Sequence, residues 1–280
     1  MVDLHIHSTF SDGNLTPAEL AQMAHDVGLT AAALTDHDST DGVGLFQDAC
    51  VAVGVDGIPG VEISAEVTHG TMHVLGYFVD PASDELQTLL VQIRKGREIR
   101  NHAILKKLQA CGMALTWDEI AAFAGEDVVG RPHFAQAMMA RGYVSTKEAA
   151  FDNYLGKGKP AYVDRFRLGP PESIAAIRSA GGVAVLSHPF TLELGRKALK
   201  ALVVELKGFG LGGVEVFYPE HTDEQVAQYL GLAQGLDLVA TGGSDFHGAS
   251  NPSIRMGTGF GSLAVPHTVV TQLRVRATAS

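Results

Sequence analysis

Short apolar runs alternate along this chain with longer, mixed stretches that open on capping residues and close on glycine. VDLHI (2–6) reads as a short buried strand. Thr16-Pro17-Ala18-Glu19 is a helix start: Thr16 caps, Pro17 suits the first helical position, and Glu19 completes a capping box. That helix runs through LAQMAHDV and stops at Gly28. AAALT (31–35) is the next strand, followed by the loop DHDSTDG, a helix over 42–53, and strands GIPGVEIS (57–64) and MHVLGYFV (72–79). From about Asp84 to Tyr154 no strand pattern is found. Residues 84–110 read as one long helix, Thr116-Trp117-Asp118-Glu119 as a second capping box, and 131–141 and 145–155 as further helices. Alternation then resumes, with helices over 171–180, 195–207 and 222–235 preceding strands over 182–188, 213–217 and 238–245. Strands alternating with helices predict a parallel sheet, open or closed into a barrel. The tail after Asn251 has little periodicity and is expected to pack loosely, with one short terminal element at most.

Composition narrows the class. The chain has 280 residues, 46% of them hydrophobic, which suits one large α/β domain carrying an insertion. The predicted organisation is a barrel over 1–83 and 165–280 and a helical insertion over 84–164. A net charge of −10 excludes a general coater of long nucleic acid, which needs phosphate-neutralising cations. A small phosphorylated ligand remains compatible, because ions or a few arginines reverse the charge locally. Cys50 and Cys111 stand in no metal spacing and are expected to be reduced, buried thiols. No signal-peptide pattern and no membrane-length apolar run is present, so a cytoplasmic location without membrane contact is expected.

Histidine changes the picture. Twelve occur, and ligand-type residues close nearly every predicted strand. His5 and His7 end the first and Asp36-His37-Asp38 the second. Glu62 lies on the third, His73 on the fourth and His188 at the end of the fifth. Glu215 leads to His221, and Asp245 and His247 close the last. In a parallel β/α barrel these strand ends converge on one rim. Alternation places His5 and His7 on the same side of their strand. His25, His69, His102 and His267 read as ordinary histidines. Mixed imidazole and carboxylate ligation without thiolate suits zinc, manganese or iron(II). More than four such residues imply more than one ion, with Glu62 able to bridge. Bridged ions activate a water and grip an anionic substrate, an arrangement suited to phosphate esters.

HIH with Asp12, TDHD, GVEIS, HVLGY, SHP and GSDFHG together resemble the PHP (polymerase and histidinol phosphatase) family, over residues 1–80 and 180–250. The resemblance implies a distorted seven-stranded β/α barrel of amidohydrolase-like type with a helical cap insertion. It implies two or three divalent ions, manganese first, with zinc or iron(II) as alternatives. His5, His7, Glu62 and Asp245 would hold one ion. Glu62, His73 and His188 would hold a second, and Asp12, His37 and His247 a third. Asp12 stands where some relatives have histidine. The insertion, with GRPHFA (130–135) and LGKGKPAYV (155–163), resembles that of the 3′,5′-nucleotide bisphosphate phosphatases. The implied reaction is removal of the 3′-phosphate of adenosine 3′,5′-bisphosphate to leave AMP, with trimming of short RNA from its 5′ end in some relatives. By that analogy Arg131 and His133 would contact substrate phosphate, with Arg131 stabilising the reacting phosphoryl group, and His221 would bind phosphate or assist the leaving group.

The residues themselves add less to these three. Arginine offers a bidentate fork for phosphate, and Gly130-Arg131-Pro132 reads as a turn into a helix beginning near Pro132, whose N-terminus favours an anion. The plain alternative is a surface pair of Arg131 with Glu126 or Asp127. Lys157 and Lys159 read as lining the entrance or as solvated loop lysines, and Arg100 and Asn101 as part of the long helix's polar face unless the insertion points them at the site. A histidinol phosphate phosphatase, a non-catalytic PHP module and a C–N hydrolase are the competing readings.

Overall fold

The computed structural model describes residues 1–124 and 129–278. Among these residues seven strands lie in the order β1 Val2–Ile6, β2 Ala31–Leu34, β3 Asp56–Ala65, β4 Met72–Tyr77, β5 Val183–Leu186, β6 Gly213–Phe217 and β7 Val239–Gly242. Ile6 bridges in parallel to Phe246, just beyond β7, so the sheet curls into a nearly closed barrel. His7 N donates to Phe246 O at 3.0 Å across that seam.

The sheet departs from the all-parallel expectation at one strand. β4 is antiparallel to both β3 and β5, while β1–β2, β2–β3, β5–β6 and β6–β7 are parallel. The reason is connection length. A parallel crossover needs roughly a dozen residues or more, and the segment between Ala65 and Met72 is too short for one. His73 therefore reaches the rim from near the start of β4, where the other strands present their C-terminal ends.

Helices α1 Pro17–Asp26, α2 Val43–Val53, α3 Asp84–Ala110, α4 Trp117–Ala124, α5 Arg131–Ala140, α6 Lys147–Ala150, α7 Pro170–Ser179, α8 Arg196–Gly208, α9 Asp223–Gly235 and α10 Thr268–Thr278 fill the intervals. The capping box of α1 is formed: Thr16 Oγ1 accepts from Glu19 N, and Glu19 accepts from Thr16 N at 2.8 Å. α5 begins at Arg131 itself, with Gly130 as its cap. Among the described residues no helix is long and apolar enough to cross a membrane.

The chain divides into two compact units, residues 1–90 with 168–280, and residues 91–167. In the first, Val2, Leu4, Ala31, Ile58, Leu75, Val183 and Val239 form one buried cluster. The tail joins it. Val269, Val270 and Leu273 of α10 are buried there, each contributing about 1.5–3 kcal/mol. The expectation of loose packing is corrected: three apolar side chains on one face of an 11-residue helix suffice to seat it. The second unit has its own core, with Ile104, Leu108, Ile120, Phe134, Met138 and Leu155 buried. Cys50 is buried, and burial pushes its thiol up to about 12. Cys111 is exposed beyond the end of α3, against the expectation that both thiols are covered.

Candidate metal centre

The rim is organised around one carboxylate. Glu62 lies in β3, is 1% exposed, and is approached by five imidazoles. Its Oε2 lies 3.3 Å from His5 Nε2, 3.5 Å from His7 Nε2 and 3.0 Å from His37 Nδ1. Its Oε1 lies 3.0 Å from His73 Nδ1 and 3.1 Å from His188 Nε2. Local backbone explains part of this. The loop after β2 stays zipped to β3, with Asp38 N donating to Glu62 O and Glu62 N to Asp36 O, so His37 pairs across from Glu62. Register explains another part, because β3 and β4 pair Ser64 with His73 and leave His73 diagonal to Glu62.

Asp245 forms a second focus. Its Oδ1 lies 3.2 Å from His5 Nε2 and 3.0 Å from His7 Nε2, and its Oδ2 accepts from Tyr218 Oη at 2.8 Å. Its backbone is left-handed at φ 54°, an unusual state for a residue with a side chain and one found often at functional sites. Asp12 forms a third focus, 3.1 Å from His247 Nε2 and 3.6 Å from His37 Nε2. Among the described residues three groups of donors lie close enough to share an ion: His5, His7 and Asp245; His37, Glu62 and His73; and His7, Asp12, His37 and His247. His7 and His37 each stand in two groups.

These donors fit divalent ions. Among the described residues, His5 Nε2, His7 Nε2, Asp12 Oδ1 and Glu62 Oε2 are buried and make no hydrogen bond, although they face one another. Buried polar atoms without partners are costly, and a cation is what a set of lone pairs can share. The electrostatics agree. Burial opposes charge on Glu62 and Asp245, yet the surrounding imidazoles hold both well below the usual carboxylate range. Burial and the charge of His247 push His7 down to about 4, which leaves a neutral ligand. Burial also works against charge on His247, but the carboxylate of Asp12, 3.1 Å from its Nε2, overrides it and raises the ring to about 10.

A second layer sets the tautomers, and much of it was not assigned from sequence. His5 Nδ1 lies 2.9 Å from Glu215 Oε1, so the ring's proton sits on Nδ1 and Nε2 faces the ion site. Glu215 also accepts from Ser187 Oγ and, at 2.7 Å, from His188 N. A charged residue inside the apolar strand GVEVF was the available signal. Glu215→Gln is expected to lower metal affinity 10- to 100-fold, as loss of such a partner commonly does. Metal titration of the purified variant checks this, and unchanged affinity would count against the role. Asp36 accepts from Ser8 N, Ser8 Oγ and Ser11 Oγ, fixing the turn that carries Asp12. His247 Nδ1 donates to Asp245 O at 2.8 Å, turning Nε2 toward Asp12.

His221 stands one ring away from the ligands. It packs against Tyr218 at 5.1 Å between centroids, and Tyr218 against His188 at 5.4 Å. Its Nδ1 donates to Val216 O at 2.8 Å, while Nε2 makes no hydrogen bond and burial lowers the ring's pKa. Arg131 and His133 belong to the second unit. Arg131 donates to Leu155 O at 3.4 Å and lies 5.9 Å from the Phe151 ring and 5.7 Å from the Tyr162 ring. His133 Nδ1 accepts from Gly130 N at 3.0 Å. Glu126 and Asp127, the alternative partners of Arg131, lie outside the described residues. Lys157 and Lys159 are exposed, as are His25, His69, His102 and His267.

Comparison with known proteins places this rim in a family. The PHP domain model matches residues 3–115. A 5′-3′ exoribonuclease of Haemophilus influenzae is 36% identical, over 88% of this chain and 89% of its own. A 3′,5′-nucleoside bisphosphate phosphatase of Chromobacterium violaceum is 34% identical, over 88% of this chain and 87% of its own. Among solved structures, an amidohydrolase of C. violaceum with bound sulfate superposes with a TM-score of 0.84 at 32% identity, covering 98% of this chain and 96% of that one. A metal-dependent phosphoesterase structure from Bifidobacterium adolescentis gives 0.81 at 30% identity, with the same coverage.

Proposed function

Because the chain belongs to the PHP family, and relatives over most of its length include a 3′,5′-nucleoside bisphosphate phosphatase and a metal-dependent phosphoesterase structure, we propose that it removes the 3′-phosphate of nucleoside 3′,5′-bisphosphates. Adenosine 3′,5′-bisphosphate would yield AMP and phosphate. The observation that carries this is the convergence of His5, His7, His37, His73 and His188 on Glu62, flanked by Asp245 and the Asp12–His247 pair. Relatives named for this phosphatase activity and for 5′-3′ exoribonuclease activity support the substrate class. The second of those names favours a companion reading, stepwise trimming of short RNA from the 5′ end.

In this reading His5, His7, Asp12, His37, Glu62, His73, His188, Asp245 and His247 hold two or three divalent ions, manganese first. Bound there, the ions supply Lewis-acid polarisation of the phosphoryl oxygens and a water nucleophile available at neutral pH. Tyr218 donates to Asp245 and Glu215 holds His5, so both ligands keep one orientation through the reaction. His221 has its Nδ1–H committed to Val216 O, so only Nε2 can exchange a proton with substrate. The lowered pKa leaves that nitrogen an acceptor in the resting protein, and an arriving phosphate dianion would favour its protonation and its use as donor to the leaving oxygen. Arg131 and His133 are proposed as contacts to substrate phosphate. Their support is chemical: a guanidinium fork and the start of the 10-residue helix α5 both suit an anion.

The test is phosphate release from adenosine 3′,5′-bisphosphate with Mn²⁺, beside AMP, histidinol phosphate and a short 5′-phosphorylated RNA, repeated after chelation. Chelator-sensitive release from the bisphosphate, with none from AMP, is expected. Release chiefly from histidinol phosphate would overturn the substrate assignment and leave the metal centre standing.

A further inference from the structure

Asp3 lies inside the apolar strand VDLHI, is fully buried, and belongs to none of the three donor groups of the rim. Each of its oxygens accepts two hydrogen bonds. Oδ1 takes Ser244 N at 2.8 Å and His5 N at 3.3 Å. Oδ2 takes Ser244 Oγ at 2.5 Å and Gly257 N at 2.7 Å. All four donors are neutral. A carboxylate out of water is costly unless donors are arranged around it, so this convergence is a built contact. Ser244 and Gly257 stand 241 and 254 positions along the chain from Asp3, and the contact forms only when the barrel closes.

What the grip holds is the residue before Asp245. Asp245 is left-handed at φ 54°, with its Oδ1 facing His5 and His7. A residue with a side chain keeps that state only where its neighbours over-determine it. Tyr218 fixes the carboxylate from one end. Ser244, held through both its N–H and its hydroxyl, fixes the backbone from the other. Because His5 N reaches the same carboxylate, β1 and the loop after β7 are set against each other where they carry two ligands. The two-point pattern recurs beside the other donor groups. Ser8, which follows His7, gives its N–H and hydroxyl to Asp36, both at 2.7 Å. Ser64, two positions after Glu62, gives its own pair to Asp38 at 2.8 and 3.2 Å. Three buried aspartates outside the donor groups thus each hold a serine close in sequence to a donor.

We propose that Asp3 is a positioning residue for the ion shared by His5, His7 and Asp245, acting through Ser244 and His5 N. This rests on the reading of those three as metal ligands and adds a buried group that is not itself a donor. The tail takes part. Gly257 is left-handed at φ 77°, which glycine adopts freely, in a turn closed by Arg255 N to Gly259 O at 2.9 Å and Gly259 N to Arg255 O at 2.8 Å. That turn aims Gly257 N at Asp3, so the segment after Asn251 supports the site as well as packing on the core. Removing the Ser244 hydroxyl leaves its N–H contact in place and loosens only half of the grip. Asp3→Asn does more: whichever way its amide turns, the NH2 meets a backbone N–H of Ser244 or Gly257 where an acceptor stood.

The experiment uses the full-length chain, stripped of metal and titrated calorimetrically with Mn²⁺. The binding step that depends on Asp245 is identified by its loss in Asp245→Asn, and the step that depends on Asp12 by its loss in Asp12→Asn. Ser244→Ala is expected to weaken the Asp245 step about tenfold and to leave the Asp12 step unchanged. Asp3→Asn should weaken the Asp245 step further, toward about 100-fold. Ser244→Ala keeps the test alive if Asp3→Asn fails to fold. The Tm of each metal-free variant is measured alongside, because a group that only supports the fold would lower Tm without favouring one binding step over the other. Both steps unchanged in Ser244→Ala, or both weakened alike, would overturn the positioning role and leave the metal centre standing. A parent chain that takes up no Mn²⁺ would remove the metal reading and this role with it, so the two failures are told apart. No turnover is read.

Discussion

Glu62→Gln is expected to reduce metal-dependent phosphate release by at least about 10³-fold. The amide keeps the shape and one acceptor oxygen but removes the negative charge on which five imidazoles converge. Polarisation by correctly placed ions is worth several kcal/mol, and each 1.36 kcal/mol is a factor of ten in rate. Two further measurements separate loss of metal from loss of fold. Metal content per chain should fall, and the rise in melting temperature on adding Mn²⁺ should disappear. That rise reflects up to about 4 kcal/mol when the ion stands at 1,000 times its dissociation constant. A variant that keeps its full metal content and works within tenfold of the parent would show that Glu62 is not the centre of the site.

Gly243→Ala should cripple the same site without touching a ligand. A Cβ built on Gly243 would overlap the backbone N, Cα and Cβ of His5. These atoms belong to the barrel seam, not to the end of a flexible side chain, so β1 or the strand-end loop must shift. Overpacking of this kind costs typically 1–3 kcal/mol. The functional loss should be larger, because His5 Nε2 sits 3.3 Å and 3.2 Å from Glu62 and Asp245, and a displacement near 1 Å can cost about 10²-fold. A folded variant with roughly 10²-fold lower kcat, weaker metal binding and a modestly lower Tm is the expected outcome. Normal kinetics would mean that the seam absorbs the methyl group elsewhere. Gly243→Ser should behave as Gly243→Ala does, since the clash begins at Cβ.

Much of the fold was legible because local signals carry it. The capping box at Thr16–Glu19, the long helix over 84–110 and the strand GVEVF stand as the sequence predicted them. The barrel and the family followed from motifs that each close a strand. What escaped were features set by long-range packing. β4 runs antiparallel because its connection is short, and the alternation rule gave no weight to that length. α10 packs on the core through three apolar residues in a stretch whose Gly and Pro content suggested a loose tail. Arg100 is buried although its helix face looks polar, because burial depends on what packs opposite, which composition does not record.

The candidate site divides along the same line. Donor type is a property of each residue alone, so the histidine and carboxylate inventory, and with it the chemistry of hard and borderline divalent ions, was determined by the sequence. Which donors share a focus was not. His7 and His37 each stand between two groups, and His5 takes its tautomer from Glu215, 210 positions along the chain. An imidazole's orientation depends on the partner of its other nitrogen, and that partner is brought into place only when the barrel closes.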